Sequence, residues 1–257
     1  MVLVSASTGS YKDFAHEPWN RQDKHEFADL ARRLAKSSTT HCSVAVVNYR
    51  LSKMTSDNTL VHPAHAEDVL HFLEFAKDWE GPEGTPVYDR TRIYALGHSC
   101  GAHILTSIFM RPPHDVPALK CLTPSRSLIQ SIRGVILSNG GYDLDHILRE
   151  YPEYRDILTR PGFGELPSYE AFNPLKYQLH EGGEDIRWLV IYTQGDKVIV
   201  AVQSKSLYER LRGFVKAAGK REERVQLNSE LTTDHNGIYT DVEYPRVVHS
   251  FISQDEI

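Results

Sequence analysis

Apolar residues along the chain alternate between short compact runs and longer stretches with helical spacing. Residues 1–4 read as the end of a strand, and Phe27, Leu30, Ala31 and Leu34 share one helical face between charged residues. Residues 43–47 form a β-branched run. Ala66, Val69, Leu70, Leu73 and Phe75 then predict a helix that turns these side chains to the core, with Pro63 in its first turn. A buried strand from Arg92 is followed at once by helical spacing at Ala102, Leu105, Ile108 and Phe109. Arg111, Pro112 and Pro113 stop that helix, and a loop runs to about Ser127. Residues 134–138, 188–192 and 224–227 read as further strands, and 203–215 and 242–252 as helices. This alternation predicts the α/β class: a single domain over residues 1–257 with a mostly parallel sheet flanked by helices. Such sheets carry their sites at the carboxyl ends of the strands. Residues 140–185 break the pattern, being polar and rich in tyrosine, phenylalanine and proline, and they predict a cap or lid inserted between core elements.

Composition narrows the class of protein. Hydrophobic residues make up 40% and charged residues 25%, which suits an ordinary globular core and argues against disorder. The net charge of -5 is spread without blocks, and no basic stripe with interleaved aromatics suggests nucleic-acid binding. Cys42, Cys100 and Cys121 are odd in number and widely spaced, so they predict neither a disulfide framework nor a metal motif. His62, His65 and His71 lack an accompanying carboxylate set, and no metal is expected. The N-terminus has no leader pattern and no apolar run is long enough to span a bilayer, which leads to the expectation of a cytoplasmic protein without membrane contact.

The chemistry centres on Gly97-His98-Ser99-Cys100-Gly101. This G-x-S-x-G pattern, set between a strand and a helix, is that of a nucleophile elbow, whose sharp turn lifts a serine hydroxyl above the sheet edge. The amide of Cys100, at the start of the helix, is the expected half of an oxyanion hole. A serine hydroxyl is a weak nucleophile and needs a base, oriented in turn by an acid. On an elbow of this kind the order along the chain is serine, acid, histidine. Of the thirteen histidines only His235 and His249 lie beyond the strand expected to supply the acid. His235 sits in the turn-rich stretch Thr232-Thr233-Asp234-His235-Asn236-Gly237 and is the candidate base, whereas His249 falls on the last helix. Asp196, after the strand at 188–192, is the candidate acid. Asp143 is its rival, although its position also suits a helix cap, and Asp234 suits capping of its own loop. His98 and His103 are open to two readings, as polar neighbours of the site or as packing residues. Cys100 is expected to lend its amide and to bury an unreactive thiol.

These residues resemble the α/β-hydrolase superfamily, and more closely its kynurenine formamidase branch. Gly97-His98-Ser99-Cys100-Gly101-Ala102-His103 is similar to the G-H-S-x-G-A-H elbow of that branch, and Asn48-Tyr49-Arg50-Leu51 resembles a tyrosine-arginine segment shared with hormone-sensitive-lipase-like esterases. Gly141-Tyr142-Asp143-Leu144, Tyr151-Pro152-Glu153-Tyr154 and Ala171-Phe172 are similar to further segments of the branch, and Asp196 and His235 match its acid and base. The likeness runs from about Val44 to the end. It implies cofactor-free hydrolysis of N-formyl-L-kynurenine to L-kynurenine and formate, with Tyr142 among the residues that meet an aryl substrate. The likeness stops at the N-terminus, where the family's upstream strands and its His-Gly-Gly segment are missing. Residues 5–10 stand in that place, with Gly9 the only glycine, so Gly9 and Ser10 are the candidates to substitute for the missing oxyanion donor. Without the upstream strands, a sheet edge is expected to lie open to another chain, as in a homodimer. Two rival functions remain: a broad carboxylesterase acting on small acyl esters, and a catalytically silent hydrolase fold kept as a binding protein.

Overall fold

Each buried strand sends alternate side chains to opposite faces of one sheet, and the two sets build two cores. The computed structural model describes residues 2–5, 24–36, 42–53, 55, 57–112 and 116–254. The chain begins with β1 (Val2–Ser5), α1 (Ala28–Ala35), β2 (Ala45–Val46) and α2 (Ala64–Asp78), then β3 (Ile93–His98) and α3 (Cys100–Phe109). Next come β4 (Met110–Arg111), α4 (Arg126–Ser131), β5 (Ile132–Ser138), α5 (Leu144–Glu150), α6 (Arg160–Phe163) and β6 (Gln178–Leu179). The last elements are β7 (Arg187–Ile191), α7 (Ala201–Ala217), β8 (Val225–Asn228) and α8 (Glu243–Ser253). The main sheet has six strands in the order β2-β1-β3-β5-β7-β8, and every neighbouring pair is parallel. Met110 and Arg111 pair antiparallel with Leu179 and Gln178 in a separate two-stranded ladder.

Period-two alternation divides the interior. Tyr94, Leu96, Ile136, Leu189 and Ile191 pack on one face with Leu30 and Leu34 of α1 and with Tyr244, Val248 and Phe251 of α8. Ala95, Val135, Leu137, Trp188 and Val190 pack on the other with α2, α3 and α7. The predicted mostly parallel sheet flanked by helices is therefore the observed one.

Three local expectations change. The run at 43–47 is a strand only at Ala45–Val46, because β1 supplies ladder partners only to those two residues. Phe75 is 56% exposed, while Ala76 completes the buried stripe of Ala66, Val69, Leu70 and Leu73. Two steps along a helix turn the chain through about 200°, so Phe75 faces away from Leu73. It stacks instead on Trp79, with ring centroids 6.1 Å apart. The stretch before β5 is not loop throughout: Ser125 accepts a bond from the Leu128 amide at 3.1 Å and caps the short helix α4.

Residues 140–185 form a series of short helices and turns, with Tyr142, Phe163, Tyr169, Phe172 and Tyr177 buried among them. Among the described residues no helix is long and apolar enough to cross a membrane.

Candidate active site

The elbow joins β3 to α3 with almost no room. A Cβ at Gly97 would stand 2.5 Å from the Gly101 carbonyl oxygen and 2.8 Å from the Ala102 amide nitrogen, so only glycine lets the strand pass this close under the helix. Ser99 adopts φ 53° and ψ -119° to make the turn, a left-handed conformation rare for a residue with a side chain. Its amide donates to the Ser138 carbonyl at 2.9 Å, and its own carbonyl accepts from the amides of Ala102 and His103 at 3.0 and 3.2 Å. The strain is thus held from both sides. Cys100 opens α3, so its amide has no acceptor within the helix, and the helix dipole favours negative charge there. Burial pushes the Cys100 thiol up to about 12, which leaves it protonated at neutral pH.

The carboxyl ends of β5 and β7 are locked together next to this turn. Asn139, itself left-handed at φ 47°, donates through Nδ2 to Thr193 Oγ1 at 3.1 Å and accepts the Thr193 amide at 2.9 Å. The loop after β7 then places Asp196. Its Oδ1 accepts the amides of Val198 and Ile199 at 2.8 and 3.0 Å, and its Oδ2 faces His235 Nδ1 at 2.7 Å. With Nδ1–H donating to the carboxylate, His235 Nε2 carries a lone pair, and the Ser99 hydroxyl lies 3.0 Å from it. The His235 and Asp196 side chains are only 4% and 2% exposed, so both hydrogen bonds form away from bulk water.

The structure therefore brings Ser99, Asp196 and His235 into one hydrogen-bonded line, and it places the other candidates elsewhere. Asp143 caps α5 by accepting the His146 amide at 2.8 Å. Asp234 accepts the Gly237 amide within its own loop at 2.6 Å. His249 lies part-buried on α8. Tyr142 is fully buried in the larger core, and its hydroxyl has no hydrogen-bond partner among the described residues. A substrate contact by Tyr142 is at odds with that burial: the flat ring fills the space beneath Gly140, where an added Cβ would meet its hydroxyl. Gly9 and Ser10 lie outside the described residues.

His103, His62 and His65 are buried in the packing around the site. His103 donates through Nδ1 to the Gly141 carbonyl at 2.8 Å, and burial lowers its pKa to about 4. His62 packs against His103, Phe163 and Phe172 with ring centroids 5.1 to 5.6 Å apart. His65 Nε2 meets the Ser52 hydroxyl at 2.9 Å. No group of three or more histidine, cysteine, aspartate or glutamate residues able to hold a metal occurs among the described residues. The tyrosine-arginine segment acts as a structural tie, because Arg50 binds Asp68 through Nε at 2.8 Å and through its backbone amide at 2.8 Å and so joins the exit of β2 to α2.

Residues that sequence reasoning passed over also shape the site. Gly195 is one of them. A Cβ there would lie 2.4 Å from the Thr232 carbonyl oxygen and 2.8 Å from that of Thr233, so the loops that carry the acid and the base touch backbone to backbone. Gln203 is another, its side-chain oxygen accepting the amides of Tyr142 and Asp143 at 3.0 and 2.8 Å. The glycine next to Asp196 was a readable signal, whereas Gln203 stands out only in three dimensions.

The all-parallel order of the sheet, its two helical layers and a strained serine elbow at the carboxyl end of β3 define the α/β-hydrolase fold. Solved structures agree: an acetyl ester-xyloside bifunctional hydrolase from Caldicellulosiruptor lactoaceticus superposes with a TM-score of 0.64 over 99% of this chain and 83% of that one, at 15% identity. Within the fold, the resemblance to the kynurenine formamidase branch extends to curated relatives of that name. The kynurenine formamidase of Eremothecium gossypii is 28% identical over 172 residues, which is 66% of this chain and 63% of that protein. That of Saccharomyces cerevisiae is 24% identical over 236 residues, 87% of this chain and 79% of that protein. The chain thus spans less than two thirds of the Eremothecium relative. No family model matches the chain.

Proposed function

We propose that this chain is a serine hydrolase that cleaves the formamide of N-formyl-L-kynurenine, with Ser99 as nucleophile, His235 as general base and acid, and Asp196 as the orienting carboxylate. The observation that carries the reading is the unbroken line from Asp196 Oδ2 through both nitrogens of His235 to Ser99 Oγ, at 2.7 and 3.0 Å. In this reaction His235 Nε2 takes the hydroxyl proton as Ser99 Oγ attacks the formyl carbon. The carbonyl electron pair moves to oxygen, the Cys100 amide donates its N–H to the oxyanion that forms, and Gly9 is the proposed second donor. The imidazolium, held by Asp196, returns the proton to the amine nitrogen as the carbon–nitrogen bond breaks. Water, deprotonated by the same Nε2, then attacks formyl-Ser99, and as the bond to Oγ breaks the imidazolium returns the proton to Ser99 Oγ and formate leaves.

The formamide is favoured because two relatives named kynurenine formamidase align along much of the chain. A second reading, a carboxylesterase on small acyl esters, draws on the ester-cleaving proteins that share the fold. The two separate by kcat/KM on N-formyl-L-kynurenine and on p-nitrophenyl acetate, with Ser99→Ala as the control. Formamide turnover well above ester turnover, lost in the variant, supports the formamidase. Ester turnover alone supports the carboxylesterase. A folded protein inert towards both contradicts the hydrolase reading and supports a silent binding fold.

A further inference from the structure

His98, the residue before the nucleophile, is fully buried behind the base. Its ring lies 4.7 Å from that of His235, centroid to centroid, with the planes inclined at 51°. Tyr239 packs edge-on against His98 at 4.8 Å, and Phe27 packs edge-on against Tyr239 at 5.2 Å. Four rings therefore form a column from His235 through His98 and Tyr239 to Phe27, just before α1. The two inner rings of this column are held in place. Arg33 of α1 donates to the carbonyls of Tyr239 and of Asp241, the latter at 2.8 Å, which pins the backbone that follows the base. His98 itself is held by Ser138, whose hydroxyl lies 3.3 Å from His98 Nδ1 and 3.1 Å from the Tyr244 hydroxyl.

The hydrogen bonds of His235 to Asp196 and Ser99 run through opposite nitrogens and fix the ends of its ring, whereas rocking about the line that joins them is opposed by packing against its face. A rocked ring points its Nε2 lone pair away from Ser99 Oγ. A contact against the face of the ring resists this motion, because close-packed neighbours hold a buried side chain in one rotamer. His98 is placed to make that contact. Its burial, and the nearby His235, keep it neutral, so it adds no charge beside the imidazolium that forms during the reaction.

We infer that His98 is a positioning residue for His235, the inner member of a ring column that holds the imidazole in line between Ser99 and Asp196. The inference takes its chemistry from the Ser99, His235 and Asp196 reading above, but its physical content is the order of one ring. The test compares the wild type with His98→Ala, His98→Phe and Tyr239→Ala. Three readouts are taken: p-nitrophenyl acetate turnover, thermal unfolding, and the far-downfield proton resonance of the His235 Nδ1–H bond to Asp196. In His98→Ala, kcat is expected to fall about a hundredfold, the scale of a displacement of about 1 Å in a catalytic group, with KM little changed and the resonance broadened or lost. His98→Phe keeps a flat ring and is expected to recover most of both signals. Tyr239→Ala, one ring further out, is expected to show a smaller loss of kcat with the same broadening, and it tests the column even if His98→Ala does not fold. Wild-type kcat with a sharp resonance in folded His98→Ala or Tyr239→Ala overturns the inference. So does a folded His98→Phe as defective as His98→Ala, which assigns the effect to the Ser138 hydrogen bond. If the wild type turns over neither p-nitrophenyl acetate nor N-formyl-L-kynurenine, the hydrolase reading is at fault, and the resonance alone decides the role of His98.

Discussion

Asp196 and His235 meet through Oδ2 and Nδ1 at 2.7 Å across 39 residues of chain, and both amides that bind Asp196 take its other oxygen. This division of labour has a direct consequence for Asp196→Asn. The new side chain can keep its oxygen on the amides of Val198 and Ile199, which turns its NH2 group towards His235. The imidazole then carries its proton on Nε2, where it cannot accept one from Ser99. A drop in kcat of about ten thousandfold is expected, with little loss of stability. Steady-state kinetics beside thermal unfolding of the same sample checks it.

Asp143 gives the opposite outcome. Its carboxylate caps α5 and is not part of the Ser99 line, so Asp143→Ala is expected to cost about 1 kcal/mol of stability and to leave kcat near that of the wild type. Urea unfolding and kinetics measured together separate this from a catalytic role, since a loss of kcat to match that of Asp196→Asn contradicts the assignment.

At Gly195 the backbones of the acid and base loops are in contact, and a methyl group has nowhere to go. Gly195→Ala is expected to push the two loops apart, destabilising the fold by about 1–3 kcal/mol and lowering kcat by more than that loss of folded protein explains. The check is kcat measured well below the melting temperature, where the variant is still folded.

Buried histidines set the response to acid. Burial lowers His65 and His103 from the ordinary 6.5 to about 4, and it lowers His62 as well. Between these limits the unfolded chain holds protons on these residues that the folded protein does not. Acid therefore favours unfolding: the stability contributed by His65 and His103 is complete above about pH 6.5, falls as the pH drops towards 4, and levels off below. Each of His65 and His103 contributes up to about 3 kcal/mol to that fall. His103→Asn retains a donor for the Gly141 carbonyl and is expected to flatten the curve of unfolding free energy against pH. A variant curve parallel to that of the wild type contradicts this account.

The sheet was legible where apolar runs are short and bounded, as at β3, β5 and β7, because a strand buried on both faces leaves a continuous apolar signature. Edge strand β2 was read too long, since its extent depends on a partner that the local sequence does not reveal. Phe75 was misplaced because a phenylalanine beside an apolar stripe invites inclusion, although the helical angle puts it outside. Ser99, Asp196 and His235 could be picked out in sequence because the elbow motif fixes one position and chain order limits the other two. Tyr142 could not be judged in the same way: being aromatic and within the Gly141–Leu144 segment that resembles the branch says nothing of whether the ring faces a substrate or the core. The column behind His235 was also out of reach, because Phe27, His98 and Tyr239 are distant in sequence and only packing makes them neighbours.

The central claim is that Ser99 is a nucleophile activated by His235. It is tested most directly by the rate at which a fluorophosphonate probe labels the folded protein, with the modified residue located by peptide mass mapping. Labelling of Ser99 is expected in the wild type, and labelling about a hundredfold or more slower in His235→Ala. A folded wild type whose Ser99 stays unlabelled, or a His235→Ala variant labelled as fast as the wild type, contradicts it.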